Sequence, residues 1–230
     1  MIELAVDSRN PGEVLAACGL FNLAVRHGRA MGQFTEDGQF RLDTSATLEE
    51  LLAPLNRKTV IVAEDHSRVL LDGIALNWWK RKVLDFKPWA GQVNPDNLCL
   101  DLLNCCEPLR GRAVQGELLS ASIPMTKRLG VDPRSSWISL DIGYSPNDQG
   151  KAAIHTRPFV ELLAMIGLQT FLPRQIGSHH VYQLWLPMLP LLSARLAFAG
   201  VKMPVPGRRY RFSISKSGSF SVFDFAEPEE

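Results

Sequence analysis

The chain has 230 residues, 46% of them hydrophobic and 21% charged, which is enough to bury a sizeable core in one large domain or two small ones. That composition excludes intrinsic disorder, which needs fewer apolar residues and a larger net charge. Against 24 Asp and Glu stand 25 Lys and Arg, so the net charge is +1 and, taken whole, there is no polybasic tail and no acidic arm.

Ile2, Leu4 and Val6 alternate with other residues and predict a first strand. Asn10-Pro11-Gly12-Glu13 then opens a helix: Asn10 suits the N-cap, Pro11 the first helical position, and Glu13 the positive end of the dipole. Its apolar face is Val14, Leu15, Cys18, Phe21 and Val25, and Gly28 can end it. Gln39–Thr44 predicts a strand and Thr47–Leu55 a short helix capped by Ser45 or Thr47. Thr59–Ala63 reads as a strand, and Val69–Trp79 contains another. Asn94–Cys106 predicts a helix behind Pro95, whereas Glu107–Arg134 is ambiguous. Ser136–Gly143 reads as a strand and Tyr144–Thr156 as a polar loop. Arg157–Leu172 is apolar nearly all round and predicts a deeply buried helix. Val181–Leu186 predicts a strand, Leu191–Ala199 a helix capped by Gly200, and Arg208–Ser215 with Ser219–Phe225 a hairpin around Lys216-Ser217-Gly218. Glu227–Glu230 reads as a frayed acidic tail. Interleaved helices and hairpins favour an α+β class with a mostly antiparallel sheet. Residues 1–230 form one domain, or two halves meeting near residues 144–156.

Cys18, Cys99, Cys105 and Cys106 make a poor disulfide framework and lack zinc spacing, so they read as reduced thiols. The first residues, with Glu3 and Asp7, do not read as a signal peptide. The most apolar stretch, Val181–Val201, contains Pro187, Pro190 and Arg195 and is not a convincing membrane span. A soluble cytoplasmic protein with no membrane partner is expected.

Phosphate-loop, dinucleotide and HExxH motifs are missing. Gly143-Tyr144-Ser145-Pro146-Asn147 lacks the second glycine of a nucleophile elbow, and the proline spoils its turn. Among the histidines, His179-His180 beside Gly177 and Ser178 reads either as solvated loop residues or as a loop metal or proton-transfer site. Adjacent side chains do not converge easily on one metal and no carboxylate lies close in sequence, so no metal site is expected. A metal-independent ribonuclease would need only His155, His179 or His180 with Tyr144 or a lysine.

The most informative stretch is Trp78-Trp79-Lys80-Arg81-Lys82 followed by Phe86-Lys87-Pro88-Trp89. Aromatic faces stack on bases and Lys or Arg neutralise phosphates, which suits single-stranded nucleic acid. The same residues also fit a strand end, with one Trp in the core and a solvated basic loop. Gly207-Arg208-Arg209-Tyr210-Arg211-Phe212 is the second basic element. Alternation puts Tyr210, Phe212 and Ile214 on one face and Arg209 and Arg211 on the other, either a charged sheet edge or a phosphate contact. Residues 1–77 hold 7 basic and 11 acidic residues, residues 78–216 hold 18 and 9, and residues 217–230 hold none and 4. The low net charge is therefore a cancellation around a basic middle. Arg157 and Glu161, one turn apart on the buried helix, predict an internal salt bridge; alternatively Arg157 and Gln169 face a ligand groove.

Taken in order, several pieces resemble a small subunit family of type I-U (I-G) CRISPR–Cas systems, within or near the RAMP superfamily of RRM-like RNA-binding proteins. The pieces are Asn10-Pro11-Gly12-Glu13 with Gly19-Leu20, Leu76-Asn77-Trp78-Trp79, and Lys87-Pro88-Trp89-Ala90-Gly91-Gln92. Leu140-Asp141-Ile142-Gly143-Tyr144-Ser145, Arg157-Pro158 through Glu161-Leu162-Leu163-Ala164, Ile166-Gly167-Leu168-Gln169, Phe171-Leu172-Pro173 and Tyr210-Arg211-Phe212 follow. Asn77 stands where the family often has aspartate. The resemblance implies an RRM/ferredoxin-like, RAMP-type fold with no cofactor. It also implies a non-catalytic subunit of a crRNA-guided effector complex in antiviral defence, whose partners are crRNA or another single strand and neighbouring Cas subunits. On that reading Lys80, Arg81, Lys82, Lys87, Arg209 and Arg211 contact phosphates, Trp79 or Trp89 stacks on a base, and Asp141, Arg157, Glu161 and Gln169 hold the fold or line a groove. The rival readings are a metal-independent crRNA-processing endoribonuclease and a protein–protein adaptor in the same complex.

Overall fold

A computed structural model of the chain describes residues 1–63, 69–76, 95–125, 128–135, 154–200, 205–217 and 220–229. It is mixed α+β, and every strand pairing among these residues is antiparallel. No helix among them is long and apolar enough to cross a membrane.

The N-terminal unit follows its local signals. Strand β1 (Ile2–Ala5) leads into helix α1 (Pro11–His27). The Asn10 side chain accepts from Gly12 N at 3.0 Å and Glu13 N at 3.2 Å, satisfying two of the helix's orphan donors. Strands β2 (Met31–Phe34) and β3 (Gln39–Asp43) then pair as a hairpin. With β11 (Leu189–Pro190) they complete a four-stranded sheet in the order β1-β3-β2-β11. Strand β2 is not among the predicted elements, because Met31-Gly32-Gln33-Phe34 has no β-branched residue and an interior glycine. Helix α2 (Leu48–Leu52) starts on a capping box: Thr47 Oγ1 accepts from Glu50 N at 3.2 Å, and Glu50 accepts from Thr47 N at 2.7 Å.

Strands β4 (Val60–Val62), β5 (Val69–Leu71) and β6 (Ile74–Leu76) form a separate sheet. The single strand expected within Val69–Trp79 is two, because Asp72 (φ 49°) and Gly73 (φ 73°) make the left-handed pair a tight hairpin needs. Helix α3 (Pro95–Cys106) is followed by short helical turns from Glu107 to Glu117. Strand β7 (Ile123–Met125) pairs with β8 (Ile154–Thr156), so the last residues of the expected polar loop are strand.

The buried helix is α4 (Pro158–Gly167), shorter than expected because the chain turns after Gly167 toward Pro173. It crosses α1 at Gly19 and Gly167. A Cβ on Gly19 would meet the Leu163 carbonyl, and one on Gly167 the Leu15 carbonyl, so the two backbones touch directly. Thirteen residues of α1 and all ten of α4 are buried, which makes this pair the centre of a core running from Leu4 to Ala226.

A second sheet packs its inner face on that core. Strands β9 (Arg174–Ile176), β10 (His179–Trp185), β12 (Gly207–Phe212) and β15 (Glu227–Pro228) are ordered β15-β12-β10-β9. Trp185 Nε1 donates to the Gly32 carbonyl at 2.7 Å, and its ring stacks on Phe171 with centroids 5.8 Å apart. Tyr182 stacks on Phe198, at the end of helix α5 (Leu191–Phe198), and donates to the Ser8 carbonyl at 2.7 Å. Two expectations need correction here. Arg208–Ser215 is not one strand: Ser213 breaks it, β12 joins β10, and only β13 (Ile214–Ser217) forms a hairpin with β14 (Phe220–Phe223). The acidic tail is not frayed at its start, because Ala226 N–H donates to the Arg9 carbonyl at 2.7 Å and β15 adds to β12. All four cysteines are free thiols.

Candidate functional site

The outer face of the second sheet gathers positive charge from separate strands. Directly opposed residues of neighbouring strands share a face. The register therefore sets Glu227, Arg211, Val181 and Arg174 in one row across β15, β12, β10 and β9. Two residues along, Arg209 opposes Gln183 on the same face. Strand geometry puts the Cα atoms of Arg209 and Arg211 about 7 Å apart and those of Arg211 and Arg174 about 10 Å apart. All three arginines are exposed, while Tyr210 and Phe212 point into the core as the alternation predicts. Val181, between two of the arginines, is buried yet lies outside the hydrophobic core. Two carboxylates answer this charge. Glu227 lies 3.5 Å from Arg211, both side chains largely exposed, a pair that contributes little in water. Glu229, whose N–H donates to the Arg209 carbonyl at 2.9 Å, stands opposite Arg209, so three arginines face two carboxylates. His179 joins the same face, its Nδ1 2.9 Å from Ser213 Oγ. A guanidinium stays charged at any working pH, so the face is a fixed cationic surface suited to phosphate oxygens.

The neighbouring residues divide cleanly. Arg208 lies on the opposite side and reaches Glu36 at 3.9 Å. His180, adjacent to His179, is buried on the inner face over Phe212, so the two histidines cannot act on one substrate. His155 sits elsewhere, Nδ1 3.4 Å from Ser122 Oγ. Trp79, Lys80, Arg81, Lys82, Lys87, Trp89, Asp141 and Tyr144 lie outside the described residues. Among the described residues no group of three or more His, Cys, Asp or Glu is placed to hold a metal.

Arg157 and Glu161 do not pair with each other. Glu161 is fully buried and accepts from Gly130 N at 2.8 Å and Asp132 N at 3.2 Å. Arg157, the residue before α4, lies 3.8 Å from Asp132. Asp132 is the hub: it also accepts from Asn10 Nδ2 at 2.9 Å and from Arg134 Nε at 2.9 Å, and Arg134 continues to Glu13. This network ties the starts of α1 and α4 to the segment around residue 132. Gln169 Nε2 donates to the Met165 carbonyl at 2.9 Å.

Burial raises the Glu161 pKa to about 7, with Asp132 adding to the rise, while the two backbone donors and Arg128 oppose it. The folded chain thus holds that proton more tightly than the unfolded chain. Stability from this group is full below pH 4.5 and is lost as the pH rises through about 7. Wild type is therefore expected to lose up to about 3 kcal/mol relative to Glu161→Gln between pH 4.5 and 8, measured by urea unfolding. A constant difference, or one of the opposite sign, would contradict this.

Compared with known proteins, the chain matches no family model, no curated protein and no solved structure. The sequence reading missed Arg174 and the Asp132 hub. Arg174 is an isolated arginine after Pro173, and only the register across Val181 aligns it with Arg211.

Proposed function

We propose that this chain is a non-catalytic RNA-binding subunit of a type I-U (I-G) CRISPR effector complex, with an RRM-like, RAMP-type fold, contacting crRNA or the target strand. The observation that carries the reading is the outward row of Arg174 and Arg211 with Arg209 beside it. Further support comes from the β1-α1-β2-β3 unit with strand order β1-β3-β2, which fits one half of a split βαβ arrangement. The mechanism is electrostatic: arginines neutralise successive phosphates and fix the register of the strand without reading its bases.

Purification from the native operon tests this. RNA of defined length is expected to accompany the complex and to be depleted by the joint change Arg174→Ala, Arg209→Ala and Arg211→Ala. A complex that assembles without RNA would overturn the reading in favour of an adaptor. The place of His179 on the cationic face favours a second reading, metal-independent RNA cleavage. It requires repeat RNA to be cut in EDTA and the cutting to vanish in His179→Ala.

A further inference from the structure

The open edge of the first sheet is a separate surface. Val6 N–H donates to the Gly38 carbonyl at 2.8 Å, so this amide points toward β3. Alternation turns the N–H and C=O groups of Glu3 and Ala5 the other way. Both residues are exposed, β1 ends the sheet, and no described strand lies beyond it. The next amide pointing outward, Asp7 N–H, donates to Glu13 Oε2 at 2.7 Å. A carboxylate oxygen thus stands where the carbonyl of a neighbouring strand would, while among the described residues no strand covers the outward groups of Glu3 and Ala5.

Two other sheet ends are blunted by proline. Strand β11 contains Pro190 and β15 contains Pro228, and proline offers no N–H to an incoming strand. Strand β1 has no proline. It borders a cleft of about 610 Å³ whose lining also includes Val114, Leu118 and Leu119. Four carboxylates line the cleft: Glu3 pairs with Arg41 at 3.0 Å and Glu13 with Arg134, while Asp7 and Asp37 leave it with an acidic excess.

We propose that this edge accepts a basic, extended segment of a partner protein as an added strand. Main-chain bonds to Glu3 and Ala5 would hold it, alternate apolar side chains would enter the cleft, and Lys or Arg would meet the carboxylates. A second copy of this chain fits poorly, because edge-to-edge pairing would bring two acidic clefts together. The proposal does not depend on nucleic-acid binding.

The test is a titration of the full chain with a fluorescein-labelled octapeptide of alternating lysine and valine, read by anisotropy and by amide hydrogen exchange. Saturable binding is expected. The Glu3 and Ala5 amides should exchange quickly in the free chain and at least tenfold more slowly with peptide, with Val6 unchanged. Methylating the peptide amides at the lysines or at the valines should weaken binding at least tenfold for one set only. Ala5→Pro, which removes an outward donor, should weaken it similarly, as should exchange of lysine for glutamate in the peptide. Any of four results would overturn the proposal: no saturable binding at millimolar peptide, equal effects of both methylated sets, equal affinity for the glutamate peptide, or slow exchange of Glu3 and Ala5 in the free chain. A dimer dissociated by Ala5→Pro would also overturn it, by assigning the edge to a second copy.

Discussion

Gly19→Ala is expected to destabilise the chain by about 3 kcal/mol, at the upper end for an overpacked core. For a chain of this size that corresponds to a fall of roughly 10 °C in the unfolding midpoint. The reason is geometric. The added methyl would occupy the position of the Leu163 carbonyl, and the opposing Gly167 is equally close to the Leu15 carbonyl. Neither obstacle is the end of a flexible side chain, so relief requires α1 and α4 to separate. Separation would open the core along both helices, since nearly every residue at the crossing is buried. Gly111→Ala is the matched control: nothing lies within 4 Å of a Cβ there, and the residue is helical. That change should be neutral or stabilising by about 0.5–1 kcal/mol. Thermal unfolding followed by circular dichroism distinguishes the two. Equal effects would contradict the contact between helix backbones.

Asp132→Ala is expected to cost a similar amount, about 3 kcal/mol, the lower end for breaking a buried ion pair. Asp132 is fully buried and accepts from Asn10 and Arg134 while facing Arg157. Its removal leaves the Asn10 amide and two guanidinium groups short of an acceptor. The lower figure is appropriate because Arg134 keeps Glu13, and about a quarter of the Arg134 and Arg157 side chains remains exposed to water. Asp132→Asn, which preserves volume and one acceptor, should cost less. Urea unfolding of the three proteins reads the order directly, and a silent Asp132→Ala would contradict the hub.

Local chemistry was legible where the deciding residues are neighbours. Asn10 with Pro11, Thr47 with Glu50, and the alternation of Arg209 to Phe212 each state their structure within four residues. What was not legible depends on distant partners. Asp132 bonds to Asn10, 122 positions away, and nothing in its own neighbourhood marks it as buried. The Arg157–Glu161 spacing suggests a pair, yet the segment from Gly130 to Asp132 supplies nearer partners to both. Ser213 splits what alternation reads as one strand, because β12 and β13 belong to different sheets. Arg174 enters the cationic face only through strand register, a property of the assembled sheet.

On the proposed function, this sheet face binds nucleic-acid phosphates. The most direct measurement is the affinity of the full chain for single-stranded repeat RNA across a salt series, for wild type and for the joint change Arg174→Ala, Arg209→Ala and Arg211→Ala. Wild-type log affinity should fall linearly with log salt concentration, and the variant should bind at least tenfold more weakly at low salt. Its slope should be shallower by about 2, from three lost phosphate contacts at about 0.7 each. Affinity and slope unchanged by the triple substitution would contradict the account.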